Sequence, residues 1–206
     1  LNSLGINTTG GIAWFENDGS QNFSMHLVTE SDIRFARIYV ADVNSDGYLD
    51  ILSASNDNRI AWHENNGYQN FTDHIITTNV SNGRDVYAID LDEDGDMDVL
   101  SASSSDGKVA WYKNDGYENF TAYTIATNGM HSVRAADMDG DGDIDVVSTL
   151  HSNKKGVVWH KNNGSESFST ETIIDSLSIP KDVFLADVND DGFLDVLSAS
   201  SGDNLV

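Results

Sequence analysis

An acidic nine-residue loop occurs four times in this chain, each time followed by a short apolar run. The copies are Asp42-Val-Asn-Ser-Asp-Gly-Tyr-Leu-Asp50, Asp90-Leu-Asp-Glu-Asp-Gly-Asp-Met-Asp98, Asp137-Met-Asp-Gly-Asp-Gly-Asp-Ile-Asp145 and Asp187-Val-Asn-Asp-Asp-Gly-Phe-Leu-Asp195. They begin 48, 47 and 50 residues apart. A loop that returns at such a period belongs to a structural repeat, and the repeat limits the fold.

The tryptophans keep the same beat. Ile12-Ala-Trp14, Ile60-Ala-Trp62, Val109-Ala-Trp111 and Val157-Val-Trp159 recur every 48, 49 and 48 residues. Each leads into a turn: Asn17-Asp-Gly19, Asn65-Asn-Gly67, Asn114-Asp-Gly116 and Asn162-Asn-Gly164. Asn-Gly and Asp-Gly accept positive φ and mark hairpins. A Phe-led segment follows each turn, starting at Phe23, Phe71, Phe120 and Phe168. Apolar segments also run into and out of every acidic loop, as in Arg37 to Ala41 and Asp50 to Ala54. The repeat is therefore four short strands in about 48 residues, with no helical period. That combination predicts an all-β fold, a β-propeller of four-stranded antiparallel blades.

The expected organisation is one repeat domain over residues 1–206, holding about four blade-equivalents. The last two strands of a blade occupy 1–30, whole blades occupy 31–79, 80–128 and 129–176, and the first two strands of a blade occupy 177–206. The expectation is a segment of a larger propeller, completed by sequence beyond this segment or by another chain. A self-closed ring of four blades is the alternative.

Composition narrows the function. The formal charge is −23, and the four loops hold 18 of the 34 acidic residues. Nucleic-acid binders carry basic patches, so nucleic acid is excluded as a partner. No apolar run reaches the ~18 residues of a membrane helix, so no membrane insertion is expected. There is no cysteine and hence no disulfide or thiolate site. The chain opens on Leu1 rather than Met and reads as an excised or processed segment, so the lack of a signal peptide carries no weight.

These residues resemble the FG-GAP/VCBS repeat family, which includes blades of integrin α-subunit propellers and of fungal propeller lectins. The resemblance rests on the D-x-[DN]-x-D-G-x-x-D loop, in register with the Trp and Asn-Gly rows, and covers essentially the whole chain. Ser-Ala-Ser stands where the family's Gly-Ala-Pro would. The resemblance implies that the loop joins the innermost strand of a blade to the second and holds Ca²⁺, about four ions per chain. Hard oxygen ligands around a tight turn are what Ca²⁺ requires. The expected side-chain ligands are Asp42, Asn44, Asp46 and Asp50; Asp90, Asp92, Asp94 and Asp98; Asp137, Asp139, Asp141 and Asp145; and Asp187, Asn189, Asp191 and Asp195. Tyr48, Asp96, Asp143 and Phe193 offer backbone carbonyls at position seven. An EF-hand would need an acid at position twelve and flanking helices. Position twelve is Ser53, Ser101, Ser148 and Ser198, and the flanks read as strands.

No nucleophile elbow, P-loop or zinc spacing is present, and a site copied into every repeat reads as structural rather than catalytic. The expectation is a calcium-stabilised, non-enzymatic module, secreted or at the cell surface, for adhesion or surface assembly. Its partner would be a protein or glycan ligand. A lectin-like carbohydrate-binding propeller and an accessory domain of a larger secreted enzyme are the alternatives. The Trp column is assigned to core. The residue after each Trp (Phe15, His63, Tyr112, His160) is assigned to the opposite, variable surface. Six sequons, at Asn7, Asn22, Asn70, Asn79, Asn119 and Asn163, are open to glycosylation in a eukaryotic secretory setting. For Asn22, Asn70 and Asn119, duplication of a strand-start Asn explains them equally.

Overall fold

The computed structural model describes residues 10–31, 34–150 and 155–202. Asn7 and His151 lie outside them. The described chain is all-β, sixteen strands with no helix. Three four-stranded antiparallel sheets follow one another: β3 (Phe35–Ala41), β4 (Asp50–Ser55), β5 (Ile60–Asn65) and β6 (Phe71–Thr77); β7 (Gly83–Ile89), β8 (Asp98–Ser103), β9 (Val109–Asn114) and β10 (Phe120–Ala126); then β11 (Gly129–Ala136), β12 (Asp145–Leu150), β13 (Val157–Asn162) and β14 (Phe168–Ile174). A two-stranded sheet precedes them, β1 (Gly10–Asn17) with β2 (Phe23–Ser31). Another ends the described chain, β15 (Pro180–Ala186) with β16 (Asp195–Ser200).

The blades stack through their inner strands. β7 packs on β3 and β4, β11 on β7 and β8, and β15 on β11 and β12. Second strands are thus sandwiched between sheets, and every residue of β4, β8 and β12 is buried. That is why these strands are apolar at consecutive positions. β16 carries the same sequence as β8, yet none of its residues is buried. No further sheet covers it among the described residues.

Trp62 and Trp111 are 1 % exposed and lie in the interblade cores. Each stacks on its cross-strand partner in the outermost strand, Trp62 on His74 at 4.6 Å and Trp111 on Tyr123 at 5.0 Å. Trp14 repeats the arrangement with His26 at 4.4 Å.

The residue after Trp corrects the surface assignment. Only Phe15 is exposed; His63, Tyr112 and His160 are buried. They meet the serine of the second strand: His63 Nε2 to Ser53 Oγ at 2.9 Å, Tyr112 Oη to Ser101 Oγ at 3.1 Å, His160 Nε2 to Ser148 Oγ at 2.9 Å. Alternation separates two faces of a strand, but in a stacked blade both faces meet a neighbour. Burial holds the His160 pKa down to about 4. The unfolded imidazole takes its proton near 6.5, so acid favours unfolding. This contribution is complete above about 6.5 and lost as the pH falls through about 4, a span of about 3 kcal/mol. His160→Gln is expected to flatten the fall in melting temperature between pH 6.5 and 4. Parallel acid limbs in variant and wild type would assign that fall to other groups.

Candidate metal centre

Each acidic loop joins the first strand of its sheet to the second, and the four copies share one backbone. Position six is glycine with φ of 90°, 98°, 97° and 89° at Gly47, Gly95, Gly142 and Gly192. Position four is also left-handed, in Ser45 (60°), Glu93 (59°), Gly140 (76°) and Asp190 (59°). These conformations curl the chain around the first carboxylate. Asp42 accepts from the Asp46 and Gly47 N–H groups, Asp90 from Asp94 and Gly95, Asp137 from Gly140 and Gly142, and Asp187 from Asp191 and Gly192. Position five holds the far side of the turn, as where Asp94 accepts the Asp96 N–H at 3.1 Å. Asn44 and Asn189, at position three, each accept the position-five N–H as well.

Position nine is the anchor. Asp50, Asp98 and Asp145 are 0 % exposed. Asp98 accepts the Leu91 N–H at 3.1 Å and the Asn114 N–H at 2.7 Å. Asp50 and Asp145 make the same pair of bonds, to Val43 and Asn65 and to Met138 and Asn162. Burial raises the pKa of all three, that of Asp98 to about 6. The indole of Trp111 lies on the side of Asp98 and favours its anion, although its N–H is buried without meeting hydrogen-bond geometry. A cation beside such a carboxylate offsets the cost of burying its charge.

The structure gathers three carboxylates in two loops. Oxygens of Asp90, Asp92 and Asp94 lie within 4.8 Å of one another, as do those of Asp137, Asp139 and Asp145. Together these sets span positions one, three, five and nine. The first and fourth loops, with Asn44 and Asn189 at position three, bring no such trio together. Oδ1 of Asp92 is buried and has no hydrogen-bond partner, which leaves an acceptor free beside the loop. All-oxygen donors on a flexible turn fit a hard divalent cation of the calcium type. The position-seven side chains Asp96 and Asp143 turn instead towards the hairpin glycines, where a Cβ on Gly116 or Gly164 would meet them at 2.5 and 2.7 Å. Tyr48 does the same over Gly67, and Phe193 is exposed.

Two kinds of residue beyond the loop complete the site. Asn65, Asn114 and Asn162 each give the backbone N–H to position nine and the side-chain amide to the carbonyl of position eight. Their side-chain oxygens also cap the turn glycine. The signal was present as the Asn that closes every Trp segment, but it read only as a turn former. The second kind is lysine. Lys113 pairs with Asp92 and lies 3.8 Å from Asp94, and Lys161 pairs with Asp139 and lies 3.2 Å from Asp141. Asp92 foremost, then Glu166, raises the Lys113 pKa. Lysine accompanies Asp at position three, whereas Glu64 accompanies Asn44.

The sequon side chains Asn22, Asn70 and Asn119 are exposed in the turns before the outermost strands. Their amides donate back to Asp18, the Tyr68 carbonyl and Asp115, so they also close those turns.

No curated protein matches the chain. Among solved structures it is similar to a lectin of Agrocybe aegerita, described by its recognition of non-reducing terminal N-acetylglucosamine. The TM-score is 0.64 at 20% identity, over 91% of this chain and 55% of that one. This chain thus spans about half of that protein, and the similarity is one of fold. The family model for the FG-GAP-like repeat matches residues 42–101, 90–148 and 137–198, each match running from one acidic loop to within the strand that follows the next. With its loops, blades and three tandem matches, the chain belongs to the FG-GAP-like repeat family.

Proposed function

We propose that the chain is a calcium-stabilised, non-catalytic β-propeller module that binds carbohydrate outside the cell. The observation that carries the reading is the fourfold copying of one loop geometry, each copy tying an inner strand to the second, and the first three also reaching the third strand of their blade. A catalytic site would be unique, whereas these are girders. The ion at each loop would be held by positions one, three, five and nine, and it would supply charge neutralisation rather than chemistry. The fold shared with a glycan-binding lectin supports saccharide as the ligand class. Acidic loops exposed to millimolar calcium suit an extracellular setting.

Further blades belong to the same reading. The position-two residues Val43 and Leu91 are buried under the next blade, whereas Val188 is 62 % exposed. Phe184 on the same terminal sheet and Phe193 in its acidic loop stand exposed. An apolar face of this kind is built for a neighbour, here another blade from the parent sequence or from another chain. Glycans at Asn22, Asn70 or Asn119 are compatible with their exposure.

A glycan array probed with the chain in calcium and again in chelator tests the function. Saccharide binding that disappears with calcium is expected. An array blank under both conditions, alongside capture of a protein ligand, would replace carbohydrate with protein as the partner.

A further inference from the structure

The charge of this chain is sorted between its two rims. The acidic loops close one rim. At the other, the inner strands begin, and each of them starts with a bulge. Phe35 pairs with Ser55 and Arg37 with Ala54, Gly83 with Ser103 and Asp85 with Ala102, Pro180 with Ser200 and Asp182 with Ala199. The extra residue is Arg84 in β7 and Lys181 in β15. His131 sits in the longer irregularity of β11, between the Gly129 and Val133 pairings. A bulge re-aims a side chain out of the ladder. Here the re-aimed side chains converge.

Arg84, His131 and Lys181 line one cavity of about 330 Å³ with Phe35, Arg37 and Asn56. Among the described residues no carboxylate lines it, in a chain of net charge −23. Asp85 and Asp182 lie beneath and are already engaged. Asp85 binds Arg134 at 2.8 Å and Arg37 at 3.4 Å, and Asp182 lies 3.5 Å from Arg37. The rim acids Asp57 and Asp106 pair with Arg59 and Lys108. Neither Arg84 nor Lys181 pairs with a carboxylate among the described residues: Arg84 donates to the Ser104 hydroxyl at 3.1 Å, and Lys181 Nζ lies 2.9 Å from His131 Nε2. Two cations with no described carboxylate partner, set above acids already paired with arginine, form a receptor for anionic oxygen.

We propose that this mouth binds the carboxylate or sulfate of an acidic saccharide, with Arg84 and Lys181 as the anion contacts and Arg37 held in place by Asp85 and Asp182. The Phe35 ring supplies a face for the sugar, and Asn56 a polar contact. The proposal rests on the carbohydrate reading above and assigns that reading its ligand class and site.

The test is calorimetric titration of the whole chain in calcium with oligogalacturonate, with a sulfated oligosaccharide and with a neutral oligosaccharide of equal length. The expected result is binding of an acidic probe, at least tenfold weaker in Arg84→Gln/Lys181→Gln and unchanged in Lys108→Gln. The melting temperature in calcium should be the same for all three proteins. The arm that binds distinguishes carboxylate from sulfate. Acidic-probe binding that the double variant leaves intact would overturn the mouth. So would a preference for the neutral probe, which would leave the carbohydrate reading standing. Failure of every saccharide, charged or neutral, would overturn both.

Discussion

Removing calcium is expected to lower the melting temperature of this chain more than any single substitution. Each acidic loop holds three to six acidic residues within nine positions. In the second and third loops, three carboxylates converge within 4.8 Å. At that separation unit charges repel by about 1 kcal/mol per pair even in water, and by several at the effective dielectric of a protein surface. Lys113 and Lys161 offset part of this in two loops only. An ion present at 100 times its dissociation constant stabilises by about 2.7 kcal/mol. Four such ions would contribute on the order of 10 kcal/mol, as much as the whole stability of an ordinary domain. Scanning calorimetry in chelator and in millimolar calcium measures the effect, and titration calorimetry counts about four ions. Superimposable melts would end the structural-metal proposal. Asp90→Ala should remove one ion and leave the other sites filled.

The second large effect separates the anchor from the ligands. Asp98→Ala is expected to cost about 3 kcal/mol or more even in chelator, where no ion is at stake. Its carboxylate is fully buried and satisfies the N–H groups of Leu91 and Asn114. Truncation strands both donors, at about 1–3 kcal/mol each. Those donors belong to the acidic loop and the third strand, so the loop loses its hold on the blade. Asp90 is only half-buried, and its hydrogen bonds stay within the loop. Asp90→Ala should therefore lose its ion yet change stability in chelator by less than about 1 kcal/mol. Urea unfolding of both variants in chelator checks the contrast. Equal costs would place position nine among the ordinary ligands and remove its role as anchor.

Much of this architecture is legible in one dimension. The period of the Trp segments and acidic loops marks the four-stranded blade. The Asn-Asp-Gly and Asn-Asn-Gly turns mark its hairpins, and the apolar runs from Asp50 and Asp98 mark strands covered on both faces. Each of these signals is local, carried by turn chemistry or by a run of side chains within one strand. His63 and His160 show where local reading fails. Their alternation with Trp points them away from one face, but only the stacking of blades decides that the other face is also covered.

The sequence alone determined the repeat, the β class and the nine-residue loop, because turn geometry and strand period depend on residues a few positions apart. Tertiary structure decided which oxygens meet. It brought Asn114 onto Asp98 and Lys113 onto Asp92 from more than a dozen residues away, and it left Val188 uncovered while burying Leu91. It also gathered Arg84, His131 and Lys181 from three separate strands into one mouth. Each is a single basic side chain near the start of an inner strand, and nothing in such a residue says where it points. The bulge that redirects it and the row of inner strands that sets it beside its fellows arise only when those strands pack side by side.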